Sequence, residues 1–300
     1  MAFRQPERYS DPGLLTMPLV SVITPAYQAQ PFLARAVRSV LSQTLQDWEL
    51  LVVSDDGLDY RTFLAQHGLD DPRMRFVGPG AAAADPGAAR NRAIAAARGQ
   101  YLAPLDADDL FYPERLERLV PLAADSGMAG DNVRVVDDAS AVALATLWPE
   151  GRAVRSLGLH DYAQTSVPMT FLFRREVVAW AWEEGLGLGE DTLFNLRGFE
   201  CLGRVPVIEV VLHEYRVRHG SLCHAPDSAA RAETAYTNAL ERLAQAGLGF
   251  RTPQARAVVG EMLIARRRLN QAFQASLAAG RCRNFQEFIT GREGEGAAAA

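Results

Sequence analysis

The chain has 300 residues, of which 48% are hydrophobic, and a formal net charge of -5. Such a length suits one large domain or one and a half ordinary ones, with apolar residues enough for a sizeable core. The charge gives no general drive toward nucleic acid or an anionic membrane, and the complete absence of lysine excludes a P-loop lysine and Schiff-base catalysis.

Cys201, Cys223 and Cys282 are odd in number and far apart, so neither a disulfide framework nor a CxxC knuckle is available and a reducing cytoplasm is expected. The opening residues MAFRQPERYSDPGLLTMP carry no apolar h-region, and no run is long enough to span a bilayer.

Residues 1–17 read as an irregular lead-in. Leu19 to Thr24 is β-branched and apolar, as a buried parallel strand should be, and Pro25 is expected to end it. Phe32 to Gln43 carries Leu33, Ala36, Val37, Val40 and Leu41 at helical spacing. Trp48 to Val53 predicts a second strand, Tyr60 to His67 a short helix and Met74 to Val77 a third strand. Gly78 to Gly87 is flexible by composition, Ala88 to Arg98 predicts a helix, and Tyr101 to Leu105 a fourth strand.

This alternation is that of an open parallel α/β sheet, whose ligands bind at the carboxyl ends of the strands. The unusual residues fall at those ends: Thr24-Pro25-Ala26-Tyr27, Asp55-Asp56-Gly57 and Asp106-Ala107-Asp108-Asp109. Further on, Pro113 to Ala123 predicts a helix, Asn132 to Val136 and Pro168 to Phe173 strands, and Arg174 to Trp182 and Glu190 to Arg197 helices around the glycine run Gly185 to Gly189. Val207 to Val217 predicts a long strand with Pro206 just ahead of it. From Ser228 the chain reads as helical, Thr252-Pro253 being a capped helix start and Gly280 a stop. Residues 291–300 read as a frayed tail.

Each constellation has a plainer reading beside the chemical one. Asp106 and Asp108, two apart on an extended segment, can face one divalent ion; the rival is a helix N-cap cluster, which needs one carboxylate rather than three, and Asp109 is expected to be that cap. Asp55 and Asp56 can accept hydrogens from a base or ribose, or simply form an Asp-Gly turn. Tyr27 can stack on a base or pack at the sheet edge. Arg90 can pair with a diphosphate or be an ordinary surface arginine. Glu190 reads as helix capping with dipole compensation, and Asp191 either as that or as a general base aimed into the cleft. His213, His219 and His224 are candidates for a metal shell or for plain packing, and Arg216 and Arg218 offer positive charge to a phosphate.

Four stretches in order resemble the family 2 glycosyltransferases: VSVITPAYQAQPFLARAVRSVLSQTLQDWELLVVSDDG, AARNRAIAAARGQYLAPLDADDLFYPERLE, GEDTLFNLR and YRVRHGSL. The resemblance covers about residues 18–225. It implies an A-type nucleotide-sugar-binding fold, a Rossmann-like open mixed sheet with a helical C-terminal extension. It divides the chain into a lead-in (1–17), a donor half (18–112), an acceptor half (113–225), the extension (226–290) and a tail (291–300). It also implies an inverting, metal-dependent hexosyltransferase using a nucleoside-diphosphate sugar, UDP by family frequency, and a hydroxyl acceptor.

By position, Thr24, Pro25, Tyr27 and Asp55 or Asp56 would hold the nucleoside, and Arg90, Glu190 and Arg218 are carried as further substrate contacts. Asp106 would contact the ribose or the metal, Asp108 would ligate Mn2+ or Mg2+, His219 would add a further ligand, and Asp191 stands where the family's base stands. Leu58, the shifted Asp85-Pro86-Gly87 and Gln28 depart from the family pattern. Two alternatives stay open: a non-catalytic nucleotide-sugar-binding protein, and a sugar-nucleotide nucleotidyltransferase, whose basic Gly-rich loop TPAYQAQ does not supply. The C-terminal helices are candidates for a homodimer contact or a cover over the acceptor side, and a site at the inner face of the membrane is compatible with the absence of any span.

Overall fold

The computed structural model describes residues 17–78, 85–165, 169–218, 220, 221, 225, 227–282, 285 and 288. The expected frayed tail, most of the lead-in, His219, His224 and Cys223 lie outside them. Strands β1 (Val20–Ala26), β2 (Trp48–Ser54), β3 (Met74–Val77) and β4 (Tyr101–Pro104) run parallel in the order β3-β2-β1-β4. The sheet continues through β9 (Leu172–Arg174), antiparallel to β4, to β6 (Met128–Asp137), β10 (Val205–Val217) and β5 (Leu110–Phe111). Two further strands, β7 (Ala143–Thr146) and β8 (Val154–Leu157), pair with β6 and β10.

Because β1 and β2 are buried on both sides, successive side chains feed two cores. Val20, Val22, Leu50 and Val52 meet helices α1 (Leu33–Leu41), α2 (Tyr60–Gln66) and α4 (Arg115–Ser126). Ile23, Leu51 and Val53 meet α3 (Pro86–Ala96), α6 (Glu190–Leu202) and the long C-terminal helix α8 (Pro253–Ala278). The second core also takes Ala239 of α7 (Ser228–Ala246), so the C-terminal helices share the core of the sheet. The result is the mixed open α/β sheet with C-terminal helices that the resemblance implies.

Local chemistry sets the helix starts. Asp85 caps α3, its Oδ1 accepting from the Gly87 and Ala88 amides at 3.0 and 3.4 Å, with Pro86 in the first turn. Thr252 caps α8 through the Ala255 amide at 3.1 Å.

Several expectations are corrected. Pro25 does not end β1, because pairing with β4 stops at Ile23↔Pro104 and no amide is needed beyond it. Pro206 lies inside β10, ahead of the β6 ladder that begins at Val207↔Gly130. Asp85, Pro86 and Gly87 belong to α3 and its cap rather than to a flexible loop. No helix spans Arg174 to Trp182: β9 takes Arg174, a single 3-10 turn covers Arg175–Val177, and the rest is irregular. There Val178, Trp180 and Trp182 pack one by one, Trp182 stacked on Phe194 with centroids 3.5 Å apart and Trp180 donating to the Phe194 carbonyl at 3.0 Å.

Candidate active site

Strands β1, β2 and β4 are neighbours, so their carboxyl ends bring Tyr27, Asp55, Asp56 and Asp106 to one edge of the sheet. Tyr27 is 46% exposed there, which leaves a ring face free. Asp56 accepts from the Gln28 amide (2.6 Å), the Leu58 amide (3.1 Å) and the Tyr60 hydroxyl (2.8 Å). Burial alone would raise its carboxyl; these hydrogen bonds outweigh burial and hold it low. They also hold Gln28 in the left-handed region at φ 48°, where Asn is the commoner residue. Asp55 is buried, its two oxygens taken by Arg92 and by the Asp85 amide, each at 2.8 Å. The pair is therefore scaffold as well as base-pocket candidate, Asp55 fixing the start of α3 and Asp56 fixing the Tyr27 turn. Beneath them the Thr24 hydroxyl is buried and without a partner.

The acidic segment after β4 divides its labour. Asp106 accepts from Arg90 Nη2 at 2.5 Å and keeps about a third of its side chain exposed. Asp108 accepts from Arg218 Nε and Nη2 at 3.0 and 2.9 Å. Burial and the neighbouring Asp106 charge raise the Asp108 carboxyl, and Arg218 partly offsets them. Asp109 does not cap α4, whose N-cap is Glu114 without a side-chain bond. It turns instead to β10, taking the Arg216 amide at 2.8 Å and lying 3.3 Å from His213 Nε2. Burial, then the charges of Asp108 and Asp106, push it well above the usual carboxylate range.

Asp106 and Asp108 are part-open carboxylates, a hard-oxygen donor pair of the kind that divalent ions take. Among the described residues no cluster of three or more His, Cys, Asp or Glu side chains forms a closed cage. Two carboxylates would leave a divalent ion to complete its shell with phosphate oxygens and water. His213 is buried beside Asp109 and Phe111, and burial lowers its pKa to about 4. Arg216 is committed to Asp138 and Glu214.

The second half of the site is carried by α3 and α6. Gly189 opens α6 at φ 82°, a left-handed conformation that glycine adopts freely. Glu190, read from the sequence as a cap, is buried and bonded to Arg90 Nη1 at 2.7 Å. Arg90 is thus no surface residue: one buried guanidinium forks between Asp106 and Glu190. Burial raises the Glu190 carboxyl above its ordinary value, and Arg90 only partly offsets it. Asp191 is half-buried, and among the described residues its Oδ1 accepts from the next amide, Thr192 N, at 2.6 Å.

Asn91 exchanges hydrogen bonds with the Trp182 backbone at 3.1 and 2.9 Å. Asp85 takes the Gly185 amide at 2.6 Å. A Cβ on Gly87 would come within 2.4 Å of the Glu183 carbonyl oxygen, so glycine there permits the approach. Residues 182–185 are therefore laid against α3 and its cap. Two cavities lie away from these strand ends: one of about 620 Å3 beside Trp148, Arg155, His160 and Gln164, and one of about 560 Å3 beside Arg118, Glu150 and Arg152. The strand-end residues line neither of them.

A family-level match to Glycosyl transferase family 2 spans residues 21–179, over half of the chain. The chain belongs to glycosyl transferase family 2. Among curated family relatives, Succinoglycan biosynthesis protein ExoO of Rhizobium meliloti (strain 1021) is 30% identical over 232 residues, covering 70% of this chain and 64% of that protein. The uncharacterized glycosyltransferase EpsJ of Bacillus subtilis (strain 168) is 28% identical over 223 residues, with the same coverage. The chain thus spans about two thirds of the length of these relatives, just under it in both. In fold it is similar to residues 1–349 of S. aureus TarS in complex with UDP-GlcNAc, with a TM-score of 0.60, 17% identity and coverage of 82% of this chain and 71% of that one. The family match includes the strand ends, Arg90 and the acidic segment; α6 with Asp191, β10 with Arg218 and the C-terminal helices lie beyond it.

Proposed function

We propose that this chain transfers a sugar from a nucleoside-diphosphate sugar, UDP-linked, to an acceptor hydroxyl with inversion at the anomeric carbon. The observation that carries the reading is the Arg90 fork. It ties Asp106, on the donor side, to Glu190, and so sets Asp191 next to the acidic strand end. The family membership supports the reaction class, and the UDP-GlcNAc bound by TarS, a protein of similar fold, supports the donor.

Tyr27, with Asp55 or Asp56, receives the base at the ends of β1 and β2, over Thr24 and Pro25. Asp108, with Asp106, would hold Mn2+ or Mg2+, an ion that neutralises diphosphate charge when bound. Arg218, beside Asp108, supplies a further positive charge for the phosphates. Asp191 takes the acceptor hydroxyl's proton as that oxygen bonds to the anomeric carbon. The bond from that carbon to the diphosphate oxygen breaks, and the diphosphate leaves with the electron pair. Among the described residues no helix is long and apolar enough to cross a membrane.

A panel of UDP-, GDP- and dTDP-sugars, screened by thermal shift with Mn2+ and followed by donor turnover, tests the reading. Stabilisation by UDP-sugars and release of UDP are expected. A chain that binds no nucleotide sugar, or binds one and never turns it over, is not this enzyme.

A further inference from the structure

The Asp191 side of the site is completed from outside the family match. Helix α8 places Arg266 against the start of α6: Nη1 donates to the Thr192 hydroxyl at 3.2 Å, and Nη2 to the Thr165 carbonyl at 3.1 Å. Thr192 is the residue after Asp191. Near both charges lies Tyr162, whose phenol is raised by burial, the Asp191 charge adding to the rise and the Arg266 charge opposing it. Tyr162 belongs to α5 (Leu159–Ala163), and its hydroxyl accepts from Asn195 of α6 at 2.8 Å.

Arg266 is half-buried, and both of its hydrogen-bond partners are neutral. Among the described residues no carboxylate stands within ion-pair distance of it, whereas the next residue, Arg267, pairs with Glu233 at 2.6 Å. Neutral acceptors satisfy N–H groups without cancelling charge, and a part-buried cation is costly without a counter-charge. A guanidinium has five N–H groups in a planar fork suited to phosphate or carboxylate; among the described residues two of them find acceptors. Thr165, whose carbonyl Arg266 reaches, also lines a cavity beside Gln164, His160 and Trp148.

We propose that Arg266 is an anion subsite on the acceptor side: the acceptor carries a phosphate ester or a carboxylate that sits on this guanidinium while its attacking hydroxyl meets Asp191. The proposal rests on Asp191 being the base. It makes the C-terminal extension part of acceptor recognition and gives the acceptor a chemical class.

The test uses the full chain and two probes, inorganic phosphate and glucuronate, titrated calorimetrically with and without saturating UDP and Mn2+. Wild type is expected to bind one of them, and the tighter names the source of the charge. Arg266→Gln should weaken that binding about tenfold, the worth of one charge-assisted contact, and leave UDP affinity unchanged. Arg266→Lys keeps the charge while giving up the fork to Thr192 and Thr165, and should keep most of the anion binding. Equal anion affinity in wild type and Arg266→Gln overturns the proposal. So does an Arg266→Lys protein that loses as much as Arg266→Gln, because Arg266 is then only a tie between α8 and α6. Failure of wild type to bind UDP speaks against the glycosyltransferase reading, and the titration without UDP still decides Arg266.

Discussion

Arg90 and Glu190 meet at 2.7 Å with both side chains buried, a hundred residues apart in the chain. The same guanidinium reaches Asp106 at 2.5 Å, so one cation serves two carboxylates from opposite halves of the site. Removing it strands a buried charge. Arg90→Gln should cost about 3–5 kcal/mol of stability and abolish most transfer. Arg90→Lys keeps the charge but has one compact head in place of a fork, so it should recover part of the stability and little of the turnover. Urea unfolding checks the first statement and steady-state kinetics the second. If Arg90→Gln unfolds within about 1 kcal/mol of wild type, far less than a broken buried pair costs, the fork does not hold the site together.

Asp191 and Glu190 are adjacent carboxylates with different freedom. Glu190 is committed to Arg90, whereas among the described residues Asp191 holds only the amide of Thr192. Asp191→Asn should therefore lower kcat by about 100- to 10,000-fold, the range for loss of a positioned general base, with UDP affinity retained. Near-normal turnover by that variant excludes Asp191 as the base.

At the other end of the site, Arg218 occupies the Asp108 carboxylate from 2.9 and 3.0 Å. A divalent ion arriving at Asp108 competes with that ion pair. Mn2+ titrated calorimetrically into the free protein should bind more tightly to Arg218→Gln than to wild type, and much more weakly to Asp108→Ala. Chelation should stop turnover. An Asp108→Ala titration identical to wild type would place the metal elsewhere.

The first four strands, and so the edge where the candidate site residues gather, were legible in the sequence for a physical reason. Strands buried on both faces read as unbroken apolar runs, and whatever follows them is free to be polar. Arg90 was not legible, because its partners lie 16 and 100 residues away and a surface arginine looks the same in one dimension. Asp109 was read as a helix cap on proximity to α4, yet the β10 strand, brought alongside only by the sheet, claims it. The false helix over Arg174 to Trp182 arose from apolar spacing that each side chain satisfies by separate packing against α6. Strand β7 is exposed throughout and has no alternation to read; its order comes from pairing with β6. Arg266 gave no signal at all, since Arg266, Arg267 and Arg268 look alike until one of them meets Thr192.

Glu49 supplies a pH test away from the site. It is 4% exposed and accepts from the Ser21 hydroxyl (2.6 Å), Arg75 (2.7 Å) and the Arg98 amide (2.6 Å). These bonds lock the chain after α3 to β1 and β2. Gly99 sits in the same knot, where a Cβ would come 2.4 Å from the Ser21 nitrogen. Burial alone would raise the Glu49 carboxyl, but the hydrogen bonds and the Arg75 charge outweigh it and hold it below 4.5. A carboxyl lowered by folding binds protons more readily in the unfolded chain. Its stabilisation is therefore complete above pH 4.5 and fades as the pH falls through the folded value. Glu49→Gln should cost about 1.5–3 kcal/mol at pH 7, the worth of a buried bond network to a charged acceptor. The gap between the two proteins should narrow steadily below about pH 4.5, where the unfolded chain begins to protonate. Denaturant unfolding of both from pH 7 to pH 3 measures this, and a gap that stays constant across the range would show that Glu49 acts through shape rather than charge.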